Sequence, residues 1–251
     1  MYMATNTHIL AAEFDYERPG TLKEALSILA RHRGEARLIA GGTDLIVQMK
    51  MERHSPSLVI SLAGIAELRG ITYKDGLKIG ALTTIRDIGR SERVRGQYRA
   101  LYEACHAFST VQIMIMSTIG GNLCNASPAA DTAPPLLAFD ASVNLVSDAG
   151  SRDVPLGDFF IGPGKTVLAK TEMVHSIALP RPNAGTGSAF LKVSRVVADI
   201  SQVCAAVKLV RDGDKIAHCR IALGAVAPKP MCAERAQESL IGAVGSAEAF
   251  E

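Results

Sequence analysis

The apolar residues of this chain predict helices and strands in alternation, with parallel strands expected only in the first sixty residues. Thr21 and Glu24 form a capping box at the start of a helical pattern, and Gly34 is placed to end that helix. Apolar runs over residues 36–40 and 58–62 predict two strands with a short helix between them. This stretch therefore predicts a small βα unit.

From residue 63 onwards the pattern is typical of antiparallel strands mixed with helices. Asp75 and Gly76 separate two short apolar runs and predict a hairpin with a type I′ turn. Asp131 precedes an apolar helical run and is expected to cap it. A proline-rich break over residues 180–187 is the best candidate for a domain boundary. The other predicted elements are helices over 84–90, 97–108, 132–139 and 232–240 and strands over 143–146, 173–179, 189–193, 203–210 and 216–223. The last two strands flank residues 212–214 and are predicted to form a hairpin around Gly213.

The first glycine pair, at positions 41 and 42, stands between a predicted strand and a predicted helix. A strand, a side-chain-free turn and a helix N-terminus present backbone N–H groups to an anion. Glycine is expected there because a Cβ would hinder a phosphate that approaches the backbone. An ordinary strand-to-helix turn is the alternative. We name this stretch the first glycine segment, and it comprises Leu38, Ile39, Ala40, Gly41, Gly42, Thr43, Asp44 and Leu45.

A second glycine pair follows in a stretch of almost no formal charge, residues 118–131. We interpret this stretch as a buried or ligand-covered loop, since a solvated loop of that length normally carries more charge. Each glycine pair is expected behind an apolar strand, and two such loops suit a long ligand with two phosphates, for which a flavin dinucleotide is the natural candidate. The second glycine segment comprises Thr118, Ile119, Gly120, Gly121 and Asn122.

Composition and charge exclude several other functions. A net charge of +2 and an aromatic content of 5% give no reason to expect a nucleic-acid or membrane partner. The five cysteines are odd in number and lack C-x-x-C spacing, which favours reduced thiols in a cytoplasmic protein and argues against a metal site. No secretory signal and no apolar run of about 20 residues is visible.

Motifs for other kinds of catalysis are absent from the sequence. There is no G-x-S-x-G elbow, no G-x-G-x-x-G fingerprint, and no metal-ligand spacing among the six histidines. Residues 162–166 resemble the end of a phosphate loop, but Phe159 stands where the Walker pattern requires glycine, so we interpret them as a turn. We assign no catalytic acid, base or nucleophile.

The two glycine segments, with Asp131, resemble the FAD-binding subunit of the xanthine dehydrogenase family. These molybdenum hydroxylases include carbon monoxide dehydrogenase. The resemblance runs over nearly the whole chain and includes residues 158–166, 188–192 and 220–228. It implies an α+β class with a two-subdomain FAD-binding domain over 1–182, divided at about residue 62 into a small parallel subdomain (1–62) and a larger mixed one (63–182). A short C-terminal domain, an antiparallel sheet with a helix, follows over 183–251.

The resemblance also implies contacts with FAD. Both glycine segments should line the cofactor, and Asp131 should make a polar contact with it. Phe108 matches a position packed on the cofactor, and Val174 one of backbone contact near the flavin; core packing is the alternative for both. Lys192 matches a lysine beside the cofactor, where a cation would favour a reduced, anionic flavin, and a surface lysine is its alternative.

Electron transfer is the function that the resemblance implies. A partner subunit with two [2Fe–2S] clusters would pass electrons to FAD on this chain, and NAD or another acceptor would receive them. A large molybdopterin subunit would oxidise the substrate, and the complex is expected to be a dimer of heterotrimers. A non-catalytic nucleotide-binding or assembly module on the same fold is the alternative, and a self-sufficient flavin oxidase is a weaker one.

Three departures from the family pattern affect these expectations. Cys124 stands alone, so no [4Fe–4S] cluster is expected on this chain. Arg195 is followed by Val196 where relatives often have a second arginine. The C-terminal region is also short, which suggests that a packing surface or an interface is missing.

Overall fold

A computed structural model of the chain describes residues 10, 12–32, 34–196 and 198–246 and has the predicted α+β fold. Within these ranges, no helix is both long enough and apolar enough to cross a membrane. Three units follow one another along the chain, and each is built around its own sheet.

The N-terminal unit is a parallel sheet with one long helix, as predicted, but the sheet has a third strand at Asp15–Glu17 that was not predicted. The capping box forms, because Thr21 Oγ accepts from the Glu24 N–H and the Glu24 carboxylate accepts from the Thr21 N–H, each at 3.2 Å. The strand order is β1–β3–β2. The elements are β1 (Asp15–Glu17), α1 (Leu22–His32), β2 (Ala36–Ile39), α2 (Leu45–Lys50) and β3 (Leu58–Ser61).

The middle unit is a five-stranded antiparallel sheet with six helices inserted between its strands. The sheet order is β4–β5–β10–β6–β7, so the last strand of the unit lies at the centre. The strands are β4 (Ile71–Tyr73), β5 (Gly76–Gly80), β6 (Ser142–Ser147), β7 (Gly150–Pro155) and β10 (Met173–Pro180). The inserted helices are α3 (Ile85–Arg90), α4 (Glu92–Gln97), α5 (Arg99–Ala107), α6 (Val111–Met116), α7 (Ile119–Asn125) and α8 (Ala133–Ala138).

Between β7 and β10 lie a short helix and a small hairpin, α9 (Leu156–Phe159), β8 (Phe160–Gly162) and β9 (Lys165–Thr166).

The C-terminal unit is a four-stranded antiparallel sheet with one helix. Its elements are β11 (Thr186–Val193), β12 (Val203–Asp212), β13 (Lys215–Gly224), β14 (Met231–Cys232) and α10 (Glu234–Leu240). The predicted hairpin around Gly213 is confirmed, and this glycine has a φ of +58°.

Apolar packing joins the units. Met173 and Leu82 of the middle unit pack against Leu26 of α1 in one cluster. Phe190 and Ala206 of the C-terminal sheet belong to the same core as the helices of the middle unit. The middle and C-terminal units therefore share a core, and a domain division between residues 182 and 183 stays a prediction.

Two local predictions were wrong. The hairpin after Tyr73 forms, but Gly76 is the one residue of the 74–76 loop with positive φ, and a type I′ turn needs two. Asp131 does not cap α8, since Thr132 occupies the N-cap position and no side chain caps the helix. Pro134 and Pro135 stand in the first turn, where they have no N–H groups to be capped.

The second glycine segment also differs from its prediction. Thr118 caps α7 through its Oγ, and Gly120 and Gly121 lie inside that helix instead of behind a strand. The apolar run before this segment forms the helix α6 instead of a strand. Thr110 is its N-cap, and the Thr110 side chain accepts from the Ile113 N–H. No residue of α6 is buried.

A buried ion pair holds the C-terminal sheet to the middle unit. Lys192 Nζ lies 2.8 Å from Asp131 Oδ2, and both side chains are less than 10% exposed. Lys192 also donates to the Ala107 carbonyl, and Ser201 Oγ donates to the other carboxylate oxygen of Asp131. Removal of one partner from a buried ion pair is strongly destabilising, because it leaves the other charge buried without compensation.

We therefore expect Lys192→Met to lower the free energy of unfolding of the cofactor-free chain by about 3–5 kcal/mol, because it leaves the Asp131 carboxylate buried and uncompensated. Denaturant unfolding followed by circular dichroism measures this loss. The matched control is Arg211→Gln, which removes an exposed pair with Asp214 and should cost at most about 1 kcal/mol. Equal stability of the Lys192 variant and the wild type would contradict this role.

Candidate functional site

A cleft of about 720 Å³ opens between the N-terminal and middle units. The first glycine segment forms one side of it, and α7 with the second glycine segment forms the facing side. Leu62, Leu82 and Met173 provide an apolar floor. The cleft contains these residues of the sequence-based prediction: Leu38, Ala40, Gly41, Gly42, Thr43, Asp44, Leu45, Thr118, Gly120, Gly121, Asn122 and Val174.

The first glycine segment approaches the end of α6, two residues before the second glycine segment, through the backbone of Gly41. A Cβ on Gly41 would lie 2.6 Å from the carbonyl carbon of Met116 and closer still to its oxygen. Backbone atoms cannot rotate away as a flexible side chain can, so only glycine fits at position 41. The contact sets the separation between the two sides of the cleft.

Glycine is favoured at the other glycine positions of the two segments for comparable steric and conformational reasons. Gly42 has a φ of +76°, a conformation that other residues rarely adopt. A Cβ on Gly120 would lie 2.8 Å from both the Cβ and the carbonyl oxygen of Ala81. At Gly121 it would lie 2.9 Å from Thr118 Oγ. Gly41 and Gly120 therefore make room for neighbouring protein, and the expectation that a phosphate approaches the backbone at residues 41 and 42 stays a prediction.

The two sides of the cleft differ in the hydrogen-bond donors that they leave free. Ile119 and Gly120 donate their N–H groups to the carbonyls of Thr83 and Ala81, and Gly121 donates to Thr118 Oγ. By contrast, no backbone N–H between residues 41 and 45 donates to any other residue that the structure describes. Five successive free N–H groups therefore lie on the first glycine segment, whereas the second has only that of Thr118 without a partner among the described residues.

Side-chain hydrogen bonds also cross the cleft. Thr43 Oγ and Ser117 Oγ are 3.2 Å apart, close beside the Gly41 contact. Further along, Asn125 at the end of α7 donates to Asp44 Oδ1 at 3.0 Å. Asn122 accepts from Thr132 Oγ at 2.6 Å, which anchors α7 to the loop before α8. These bonds fix the side chains that border the cleft.

Charged groups lie around the opening of the cleft. Arg37 and Lys170 line it, and no carboxylate among the described residues lies within 4.0 Å of either cation. Glu172 lines it too, but Arg152 binds both carboxylate oxygens at 2.7 and 2.8 Å and holds the pKa of Glu172 below its usual value. Arg37 and Lys170 are therefore exposed cations without a carboxylate partner in the described part of the chain, and Asp44 is an exposed carboxylate that lines the same cleft.

Two titratable groups of the cleft have shifted pKa values. Burial raises the pKa of Asp44 above its ordinary value, while the hydrogen bond from Thr43 acts in the opposite direction. Burial, and secondly the charge of Arg37, lower the pKa of His54. His54 is therefore neutral over a wider pH range than an exposed histidine.

The remaining predicted residues do not line the cleft. Ile119 is fully buried in the core, and Ile39 packs its side chain beside Gly42. Phe108 ends α5 and is 9% exposed within the main core. Asp131 and Lys192 form the buried pair described above, so the alternative of a surface lysine was wrong. This pair adjoins the cleft through Thr132, which bonds to Asn122.

Sequence reasoning missed several polar residues of the site. Arg37 directly precedes the first glycine segment, and Ser117 directly precedes the second, so their positions in the sequence were a usable signal. Gln48, His54 and Lys170 reach the cleft from other elements, and no local pattern marks them.

The combination of groups in the cleft suits an elongated ligand with an anionic part. Free N–H groups at residues 41–45 and the cations Arg37 and Lys170 favour phosphate. The apolar floor of Leu62, Leu82 and Met173 suits a flat, poorly hydrated ring. A dinucleotide has both parts, and the residues present therefore fit FAD.

Comparison with known proteins gives the family. Residues 12–182 match the model of the FAD binding domain in molybdopterin dehydrogenase. Residues 188–251 match that of the CO dehydrogenase flavoprotein C-terminal domain. Together the two matches cover nearly all of the chain.

Individual relatives agree with the family match. The xanthine dehydrogenase FAD-binding subunit of Escherichia coli O157:H7 is 34% identical over 89% of this chain and 78% of its own length. The carbon monoxide dehydrogenase medium chain of Hydrogenophaga pseudoflava is 32% identical over 97% of this chain and 85% of its own. A solved structure of carbon monoxide dehydrogenase from the same organism superposes with a TM-score of 0.92 at 33% identity, over 96% of this chain and 84% of that one.

The glycine-bounded cleft, the α+β fold and these matches over most of the chain lead to one conclusion. The chain belongs to the FAD-binding medium subunits of the xanthine dehydrogenase and carbon monoxide dehydrogenase family of oxidoreductases.

Proposed function

We propose that this chain is the electron-transfer subunit of a multi-subunit molybdenum hydroxylase and holds FAD in the cleft between its first two units. One observation supports this most strongly: five successive N–H groups without a partner among the described residues belong to a segment that lines the same cleft as the second glycine segment. FAD supplies the redox chemistry when bound, and the protein supplies position, electrostatics and exclusion of water.

Within the cleft we assign the phosphates of FAD to the first glycine segment. Its N–H groups from Gly41 to Leu45 have no partner among the described residues, and they lie directly before and at the first residue of the helix α2. A helix of six residues contributes little dipole, so the individual N–H groups, with the nearby cations Arg37 and Lys170, supply the attraction. The second glycine segment forms the facing wall.

The flavin ring is assigned to the neighbourhood of Val174 and of the Asp131–Lys192 pair. Val174 lines the cleft, and the buried pair adjoins it through the hydrogen bond between Thr132 and Asn122. Phe108 belongs to the same region, since Lys192 donates to the carbonyl of the preceding residue, Ala107. This arrangement would place the ion pair near the ring, with the charge of Lys192 balanced by Asp131.

Around this chain we propose a cytoplasmic complex with an iron–sulfur subunit and a molybdopterin subunit, arranged as a dimer of heterotrimers. Electrons would enter from the [2Fe–2S] clusters and leave to NAD or a similar acceptor. The relatives named as a medium chain and as an FAD-binding subunit support the multi-subunit part of this proposal.

The purified chain is expected to take up FAD and to show a flavin absorption spectrum. Addition of the substrate-reduced partner subunits under anaerobic conditions should bleach that spectrum, and addition of NAD should restore it if NAD is the acceptor. Titration with FAD and stopped-flow absorbance measure these steps. A chain that binds no FAD would contradict the proposed function, and bound FAD that the partners cannot reduce would favour a non-catalytic nucleotide module.

Gly41→Ala tests the backbone contact. The new Cβ overlaps the Met116 carbonyl, so the two sides of the cleft must separate. We expect a loss of about 1–3 kcal/mol in the free energy of unfolding and FAD affinity at least about tenfold weaker. Gly96→Ala is the matched control: it lies in α4 with open space around it, and should stabilise the chain by up to about 1 kcal/mol without changing FAD binding. Wild-type FAD affinity in the Gly41 variant would disprove the assignment.

A further inference from the structure

A chain of three side chains links α2 to α7 across the mouth of the cleft. Gln48 Nε2 donates to Asn125 Oδ1 at 2.9 Å, and Asn125 Nδ2 donates to Asp44 Oδ1 at 3.0 Å. All three residues line the cleft. Asn125 is the central member, and it uses its carbonyl and its amino group in opposite directions.

This link acts on the end of the first glycine segment, where α2 starts. The N–H groups of residues 41–45 make no bond to described residues, and the internal bonds of the turn are those in which the carbonyls of Gly42 and Asp44 accept from the N–H groups of Ile46 and Gln48. The Gly41 contact and the bond between Thr43 and Ser117 hold its beginning. The bond from Asn125 to Asp44 holds its end, where α2 starts.

Asp44 does not stabilise the turn in the usual way. Its side chain makes no capping bond, and its backbone is in the helical region instead of the extended conformation of most N-caps. Asp44 is an exposed residue whose carboxylate is only partly desolvated, and an amide N–H is a suitable donor to it. The side chain of Asp44 is therefore oriented by the residue that faces it from α7.

We propose that Asn125 is a positioning residue for the cofactor: it fixes Asp44 and the end of the glycine turn in the shape that binds the phosphates. This inference rests on the proposed function. Asparagine suits the position because it is short and carries both a donor for Asp44 and an acceptor for Gln48. An aspartate at this position would place two carboxylates face to face, and a small hydroxyl side chain would not span both partners.

The test is a double-mutant cycle between positions 44 and 125, with the FAD dissociation constant measured by flavin fluorescence. Asn125→Asp should weaken FAD binding about tenfold or more, because like charges replace a charge-assisted hydrogen bond. In the Asp44→Asn background, the same substitution restores a donor–acceptor pair in the reverse direction. There it should change the affinity less than about threefold.

Two further variants keep the test interpretable. Asn144→Asp is the matched control, because Asn144 donates to Asp153 at 2.8 Å in an exposed pair on β6 and β7, outside the cleft. It introduces the same pair of carboxylates and should leave FAD binding unchanged. Asn125→Ser removes both bonds without adding charge, and it should weaken binding several-fold even if Asn125→Asp folds poorly. Thermal unfolding of the cofactor-free variants reports on folding separately.

The outcomes distinguish a failure of the proposed function from a failure of the role of Asn125. A wild-type chain that binds no FAD overturns the proposed function and this inference with it. If the wild type binds FAD, then unchanged affinity in both Asn125 variants overturns the inference alone. An equal loss for Asn125→Asp in the wild-type background and in the Asp44→Asn background also overturns it, since it would show that Asn125 does not act through Asp44.

Discussion

The contact between the backbone of Gly41 and the carbonyl of Met116 is the constraint on which the site depends. It joins a turn of the parallel unit to the helix α6 of the antiparallel unit, two segments about 75 residues apart in the chain. Since both partners are backbone, the distance between them is set without any side chain. The polar bonds from Thr43 and Asn125 then act on a turn that is already in place.

The C-terminal unit is held to the middle unit by a buried ion pair instead. Lys192 and Asp131 are shielded from water, and each has a further hydrogen-bond partner, the Ala107 carbonyl for Lys192 and Ser201 for Asp131. This pair orients the C-terminal sheet on the middle unit beside the region assigned to the flavin. A site bounded by one steric contact and one ionic contact is expected to be rigid, and rigidity limits the reorganisation that accompanies electron transfer.

Local chemistry made much of the fold predictable from the sequence. The Thr21–Glu24 capping box and the hairpin around Gly213 depend on neighbours within a few residues, and both formed as predicted. Non-local partners decided the rest. Asp131 was expected at a helix cap because its partner Lys192, 61 residues away, is invisible to a local pattern. Likewise, sequence indicated which glycines matter, but their reason, contact with Met116 and Ala81, depends on tertiary structure.

The helix α6 is apolar but is not stabilised mainly by burial. Its residues are apolar except Gln112, yet none is buried, and Val111, Ile115 and Met116 are each about half exposed. Burial of apolar area therefore contributes little to holding it; the Thr110 cap, partial packing of Met114 and the bridge between Thr84 and Thr118 do so instead. Polar side chains on its outer face would change the free energy of unfolding little. Folding does not require this face of α6 to be apolar. Its apolar composition therefore reflects the surroundings of the chain.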